Sequence, residues 1–93
     1  YVVVDTKINN AEAYEEYKIN AKPIVESYGG EYLARGGETT VPENELWTQA
    51  RLVIVRFPSR KNAEDFLACK EYAPVKAIRH KHAETTLTIV DGI

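Results

Sequence analysis

Apolar and polar residues along the chain fall into short blocks of two different periods. Tyr1 to Ile8 reads Tyr-Val-Val-Val-Asp-Thr-Lys-Ile, a β-branched stretch of strand length without Gly or Pro. From Ala11 to Tyr28 the period changes to that of a helix, with Tyr14, Tyr17, Ala21, Ile24, Val25 and Tyr28 on one face. Asn9 is the expected N-cap, with Glu12 three residues on completing a capping-box pair. Pro23 removes the hydrogen bond to Ile19, so a kink or a restart is expected there. Gly29-Gly30 ends the helix, because positive φ suits glycine. Glu31 to Arg35 reads as a second strand closed by Gly36-Gly37, and Glu38 to Thr48 as an exposed hairpin loop carrying Trp47 near its end. Leu52 to Phe57 is the third strand, and Pro58-Ser59 supplies a stop and the next N-cap. A second helix is expected from Arg60 to about Tyr72, with Ala63, Phe66 and Leu67 inward. Pro74 interrupts it, Val75 to His80 adds a further turn, and Thr85 to Val90 is the last strand.

The order β-α-β-β-α-β is the ferredoxin-like arrangement: an α+β fold whose four-stranded antiparallel sheet carries both helices on one face, with the third strand between the first two. A sheet with one wet face alternates apolar and polar positions. Here Val2-Val3-Val4 and Leu52-Val53-Ile54-Val55 are apolar at consecutive positions, as in strands buried on both sides. The two helices are already used, so a second copy of the chain is the expected cover and a homodimer is predicted.

Composition narrows the partners. The 93 residues, 44% hydrophobic and 28% charged, make one folded domain rather than a disordered or membrane-spanning chain. Twelve basic against fourteen acidic residues, with no basic run, argue against a nucleic-acid partner, and no apolar span suggests a membrane one. A lone cysteine, Cys69, excludes an intramolecular disulfide and a thiolate cluster, and fits a cytoplasmic location.

Several motifs resemble one family. Tyr1-Val2-Val3-Val4-Asp5, the Ala13-Tyr14 and Tyr17 of the first helix, and Tyr28-Gly29-Gly30 followed by Tyr32-Leu33-Ala34-Arg35-Gly36-Gly37 are similar to the domain of unknown function 1330 family. Leu52-Val53-Ile54-Val55, Phe57-Pro58-Ser59, Glu71-Tyr72, Val75-Lys76, Arg79 and the ending Ile89-Val90-Asp91-Gly92 agree in order and spacing. The resemblance spans essentially the whole chain and implies a dimeric α+β barrel. It implies no particular reaction, since relatives of that fold include cofactor-free monooxygenases, haem-degrading enzymes, isomerase-like proteins and stress-response barrels. Cys69-Lys70 before Glu71-Tyr72, and His80-Lys81-His82, depart from the family's usual residues.

Candidate chemistry follows from residue type. Tyr14, Tyr17 and Tyr32 could line a crevice and, with Tyr72, orient a polar ligand through their hydroxyls, or simply pack the core. Arg35 and Arg79 could fork onto a ligand carboxylate or pair with Asp5, Glu71 or Glu84. Asp5, the one acid in an apolar strand, would serve as a general base if desolvated, and otherwise pairs with Lys7, Arg56 or Arg79. His80 is a second candidate for proton transfer. On an extended backbone His80, His82 and Glu84 would project to one side as a metal set, although a solvated surface segment explains the same spacing and no metal or other cofactor is assigned. The paired glycines lack the strand-glycine-helix context of a phosphate cradle. Two functions are therefore expected. One is a homodimer binding a small acidic or aromatic metabolite between sheet and helices, with proton-transfer or cofactor-independent oxidation chemistry, and the other is a non-catalytic dimeric binding or stress-associated module.

Overall fold

The computed structural model describes residues 1–93. Its elements are β1 (Val2–Ile8), α1 (Ala11–Ser27), β2 (Glu31–Arg35), β3 (Leu52–Arg56), α2 (Arg60–Ala68), α3 (Tyr72–His82) and β4 (Ala83–Ile89). The strands form one antiparallel sheet in the order β2-β3-β1-β4. The expected ferredoxin-like order holds, with β3 between β1 and β2.

The expected barrel does not. β2 and β4 are the two edges of the sheet and do not pair with each other, so the sheet is open. A sheet of four strands with helices on one side makes a slab, and the molecule is 37 × 36 × 18 Å. Its thin dimension is about one sheet plus one helical layer.

Local chemistry accounts for the element ends. Asn10, rather than Asn9, caps α1, its Oδ1 accepting from the Ala13 N–H at 3.1 Å. Glu12 is then one residue too early for a capping box. α1 runs through Pro23 as one helix. It closes with Gly30 N–H donating to Val25 C=O (2.9 Å) and Gly29 N–H to Glu26 C=O (3.0 Å), the paired bonds of a Schellman ending. Gly29 takes φ +84, and an added Cβ there would lie 2.8 Å from Pro58 Cγ. The loop from Gly36 to Arg51 has no regular structure.

The second helical region differs from expectation. Ser59 caps α2 as foreseen, but α2 stops at Ala68 and a separate α3 begins at Tyr72, giving three helices. The break brings Pro74 into the first turn of α3, where no backbone N–H is needed; an unbroken helix would have required one. α3 is longer than the single turn expected and runs through His82, so β4 begins at Ala83 and not at Thr85. No helix is long and apolar enough to cross a membrane.

Register sorts the strand residues onto two faces. Val2, Val4 and Thr6 of β1 lie beside Val55 and Val53 of β3 and Ile89, Leu87 and Thr85 of β4, under the helices. The core there comprises Val2, Ala21, Val25, Val55, Phe57, Ala63, Phe66, Tyr72 and Val75. An aromatic series runs through it, with ring centroids 5.0 Å apart for Tyr14 and Tyr17, 6.4 Å for Tyr17 and Tyr72, and 4.3 Å for Tyr72 and Phe66. Val3, Asp5, Leu52, Ile54, Thr86 and Thr88 occupy the other face, which no helix covers. In β2 a bulge at Leu33 interrupts alternation: Tyr32 opposes Val55, Ala34 opposes Ile54 and Arg35 opposes Val53. Tyr32 and Arg35, three residues apart, consequently share the helix-covered face.

Gly29→Ala tests the α1 ending. The left-handed backbone costs about 1–2 kcal/mol for a residue with a Cβ, and crowding against Pro58 adds to it. The expected result is a lower urea midpoint with an unchanged m-value; a midpoint equal to wild type would show that the turn can relax.

Candidate functional site

Beneath α1 and α3 the sheet leaves a crevice of about 40 Å³. Val4, Val53 and Leu87 form its apolar floor, Thr6 and Arg79 its interior polar groups, Tyr14, Tyr17 and Tyr32 its walls, and Lys18, Arg35 and Arg51 complete the lining. Each arrives by ordinary geometry. Tyr14, Tyr17 and Lys18 are i, i+3 and i+4 on α1 and share a face. Val4 and Thr6 are alternate residues of β1, and the β2 bulge delivers Tyr32 and Arg35 together.

The charge inside is one-sided. Four cationic side chains and no Asp or Glu line the crevice. Arg79 is 5% exposed, belongs to no ion pair, and has an Nε without a hydrogen-bond partner. Thr6 is 1% exposed and its Oγ1 likewise makes no hydrogen bond, although the Tyr14 phenol lies beside it. The remaining cations are held in place. Arg35 Nη2 donates to the Lys18 C=O at 2.7 Å, and its guanidinium carbon lies 4.4 Å from the Tyr32 ring centroid. Arg51 lies over Gly36, where φ is +71 and a Cβ would meet the guanidinium at 2.5 Å. Lys18 pairs with Glu15 at 2.9 Å, and this bond holds the exposed Glu15 carboxyl below its usual range.

The phenols are fixed and neutral. Tyr17 and Tyr72 share a hydrogen bond of 2.7 Å between their hydroxyls. Burial, reinforced by Tyr72, pushes Tyr17 far above the ordinary tyrosine range, and burial raises Tyr14 and Tyr32 too. These groups can orient a ligand, but they are not bases at neutral pH.

Of the residues singled out by the sequence, the fold brings Tyr14, Tyr17, Tyr32, Arg35 and Arg79 to the crevice. Tyr72 stands behind Tyr17, buried at 1% exposure and outside the lining. Asp5 is on the opposite sheet face, beside Trp47, Val3 and Leu52. Its Oδ1 accepts from the N–H groups of Ala50 (2.9 Å) and Arg51 (3.1 Å), not from Lys7, Arg56 or Arg79. It thereby anchors the end of the long loop and helps place Arg51. His80 is exposed on α3, its pKa lowered by slight burial and by Arg79 and Lys76. His80 and His82 are helical, two residues and about 200° apart, and no cluster of three metal-ligating side chains exists. Thr6, Lys18 and Arg51 escaped notice. Alternation from Val2 and Val4 would have found Thr6, and the i+4 step from Tyr14 would have found Lys18; Arg51, at a loop end, had no comparable signal.

The matched family model, described as a domain of unknown function (DUF1330), covers residues 1–93. The chain belongs to the DUF1330 family. No curated protein matches it. Two crystal structures are similar to this DUF1330 domain. One is the RPA0582 protein of unknown function from Rhodopseudomonas palustris, 18% identical, with 94% of this chain and 76% of that chain covered and a TM-score of 0.73. The other is methylated RPA0582, 17% identical, with 99% and 78% covered and a TM-score of 0.78. At that identity the likeness is one of fold. Family membership stands, whereas the closed barrel that the resemblance implied is replaced by the open sheet.

The tyrosine pair of this DUF1330 domain gives a prediction. Tyr17→Phe and Tyr72→Phe each lose one hydrogen bond, costing about 1 kcal/mol, and the double variant costs little more than either single one. Urea unfolding of the three variants measures the coupling, and strict additivity would show that the hydroxyls act independently.

Proposed function

We propose that this DUF1330 domain binds the carboxylate group of a small metabolite in the crevice under α1 and α3. The observation that carries the reading is Arg79. A buried guanidinium is stabilised by a counter-charge or by acceptors, and this one makes no ion pair and has an Nε without a hydrogen-bond partner within the chain. A carboxylate is the chemical complement, since it is planar and accepts from guanidinium nitrogens in a fork. Phosphate is the competing anion, because Lys18, Arg35 and Arg51 also line the crevice; the small volume and the apolar floor of Val4, Val53 and Leu87 favour the smaller, planar carboxylate.

Size supports binding of a headgroup. About 10–15 Å³ holds one water, so the crevice of about 40 Å³ has room for a few heavy atoms, far less than the ~300 Å³ common for enclosed metabolites. That same small volume favours the second reading, a binding module without turnover. The neutral phenols, and the placement of Asp5 and His80 away from the crevice, favour it too. We take binding, rather than proton transfer or oxidation, as the principal role. A cytoplasmic setting suits the free, half-buried thiol of Cys69.

The uncovered sheet face supports a homodimer in this proposal. Val3, Leu52 and Ile54 lie on it with Trp47, 55% exposed, at its margin. Light scattering at micromolar concentration is expected to give twice the 10.5 kDa chain mass, and Ile54→Glu is expected to halve it. A monomeric wild type would remove the dimer from the proposal.

Arg79→Met tests the site. In the absence of ligand the variant is expected to be as stable as wild type or more so, because an uncompensated buried charge is replaced by an apolar chain of similar length. With short carboxylates at a hundredfold their Kd, wild type gains about 2.7 kcal/mol, or roughly 10 °C or more in Tm for a domain this size, and the variant gains nothing. A response to inorganic phosphate alone, or equal responses of both proteins, would overturn the carboxylate assignment.

A further inference from the structure

Two buried side chains with unused hydrogen-bonding capacity face the same small crevice. Arg79 Nε is a donor without an acceptor, and Thr6 Oγ1 is a hydroxyl without a partner. They come from different elements, α3 and β1, and no side chain of the domain satisfies either one. Unpartnered polar groups at this depth are uncommon in folded proteins and cost stability wherever they occur. A ligand that satisfied only the guanidinium would still leave Thr6 unpaired. One that carried a carboxylate for Arg79 and a second polar atom adjacent to it would satisfy both.

Resting on the carboxylate reading above, we propose that the crevice is selective for short 2-hydroxy or 2-oxo acids, with Thr6 as the specificity-determining residue. The carboxylate lies against Arg79 and the oxygen on C2 exchanges a hydrogen bond with Thr6 Oγ1. Thr6 can donate to a 2-oxo oxygen or accept from a 2-hydroxyl, so both classes fit one side chain. The crevice of about 40 Å³ limits the buried part to two or three carbons, which rest on the apolar floor of Val4, Val53 and Leu87. Discrimination arises because an acid lacking the C2 oxygen leaves Thr6 buried and unpaired when it binds, whereas one that carries it gives Thr6 a partner.

Glycolate and propionate are the decisive pair, since they differ by a hydroxyl in place of a methyl of similar size. Calorimetric titration of the wild-type protein is expected to show glycolate binding roughly tenfold more tightly than propionate, with pyruvate close to glycolate. Thr6→Val, which keeps the shape and removes the hydroxyl, is expected to abolish or reverse that preference while both acids still bind. Thr6→Ser is expected to retain it, and circular dichroism checks that both variants fold. Equal affinities for glycolate and propionate in wild type would overturn the inference and leave the carboxylate site standing. A preference unchanged in Thr6→Val would assign the selectivity elsewhere and overturn the role of Thr6. Binding of neither acid would remove the carboxylate reading and this inference with it.

Discussion

A guanidinium buried without a counter-charge is the constraint around which this domain is arranged. Arg79 lies on the inner face of α3, between the sheet and α1, and its desolvation is unfavourable in proportion to its burial. Neighbouring groups do not relieve it. The surrounding tyrosines are held protonated by the same burial, and the other cations of the crevice add like charge. The surface ion pairs, Lys18 with Glu15, Arg56 with Glu31, Arg60 with Asp91 and Lys61 with Asp65, lie elsewhere or at the rim and are worth little in water. Charge is balanced around the outside of the molecule and left unbalanced at one interior point.

The fold holds that point open by stiff means. The aromatic series from Tyr14 through Tyr17 and Tyr72 to Phe66 links α1, α3 and α2, so the crevice wall is continuous with the core. The hydrogen bond between Tyr17 and Tyr72 sets the wall's position, and Asp5, from the far side of the sheet, fixes the loop end that carries Arg51. Residues on both faces of the sheet thus shape one crevice, although only one face lines it.

Much of this was legible in the residues. Strand and helix periods located β1, α1, β2 and β3 to within a residue or two, and Ser59 announced α2. Arg35, Arg79, Tyr17 and Tyr32 could be singled out by type, although core packing and ion pairing explained the same residues, and the fold brings all four to the crevice lining. The break at Cys69 was not legible, since Pro74 is equally consistent with a kink inside one helix and with the first turn of another. The side-by-side setting of His80, His82 and Glu84 assumed an extended chain where α3 in fact continues, and the barrel assumed closure that two unpaired edge strands do not provide.

Periodicity, capping residues and glycine placement, all local properties of the backbone, were enough to determine an α+β chain in ferredoxin-like order with apolar residues on both sheet faces. Which side chains meet was decided only in three dimensions. A bulge at Leu33, invisible in residue type, turned Tyr32 and Arg35 onto one face; strand register put Thr6 under α3; and the packing of α3 on α1 buried Arg79 beside it. Register and burial depend on contacts between residues distant in sequence, so the unpaired Arg79 and Thr6 became apparent only when the chain was folded.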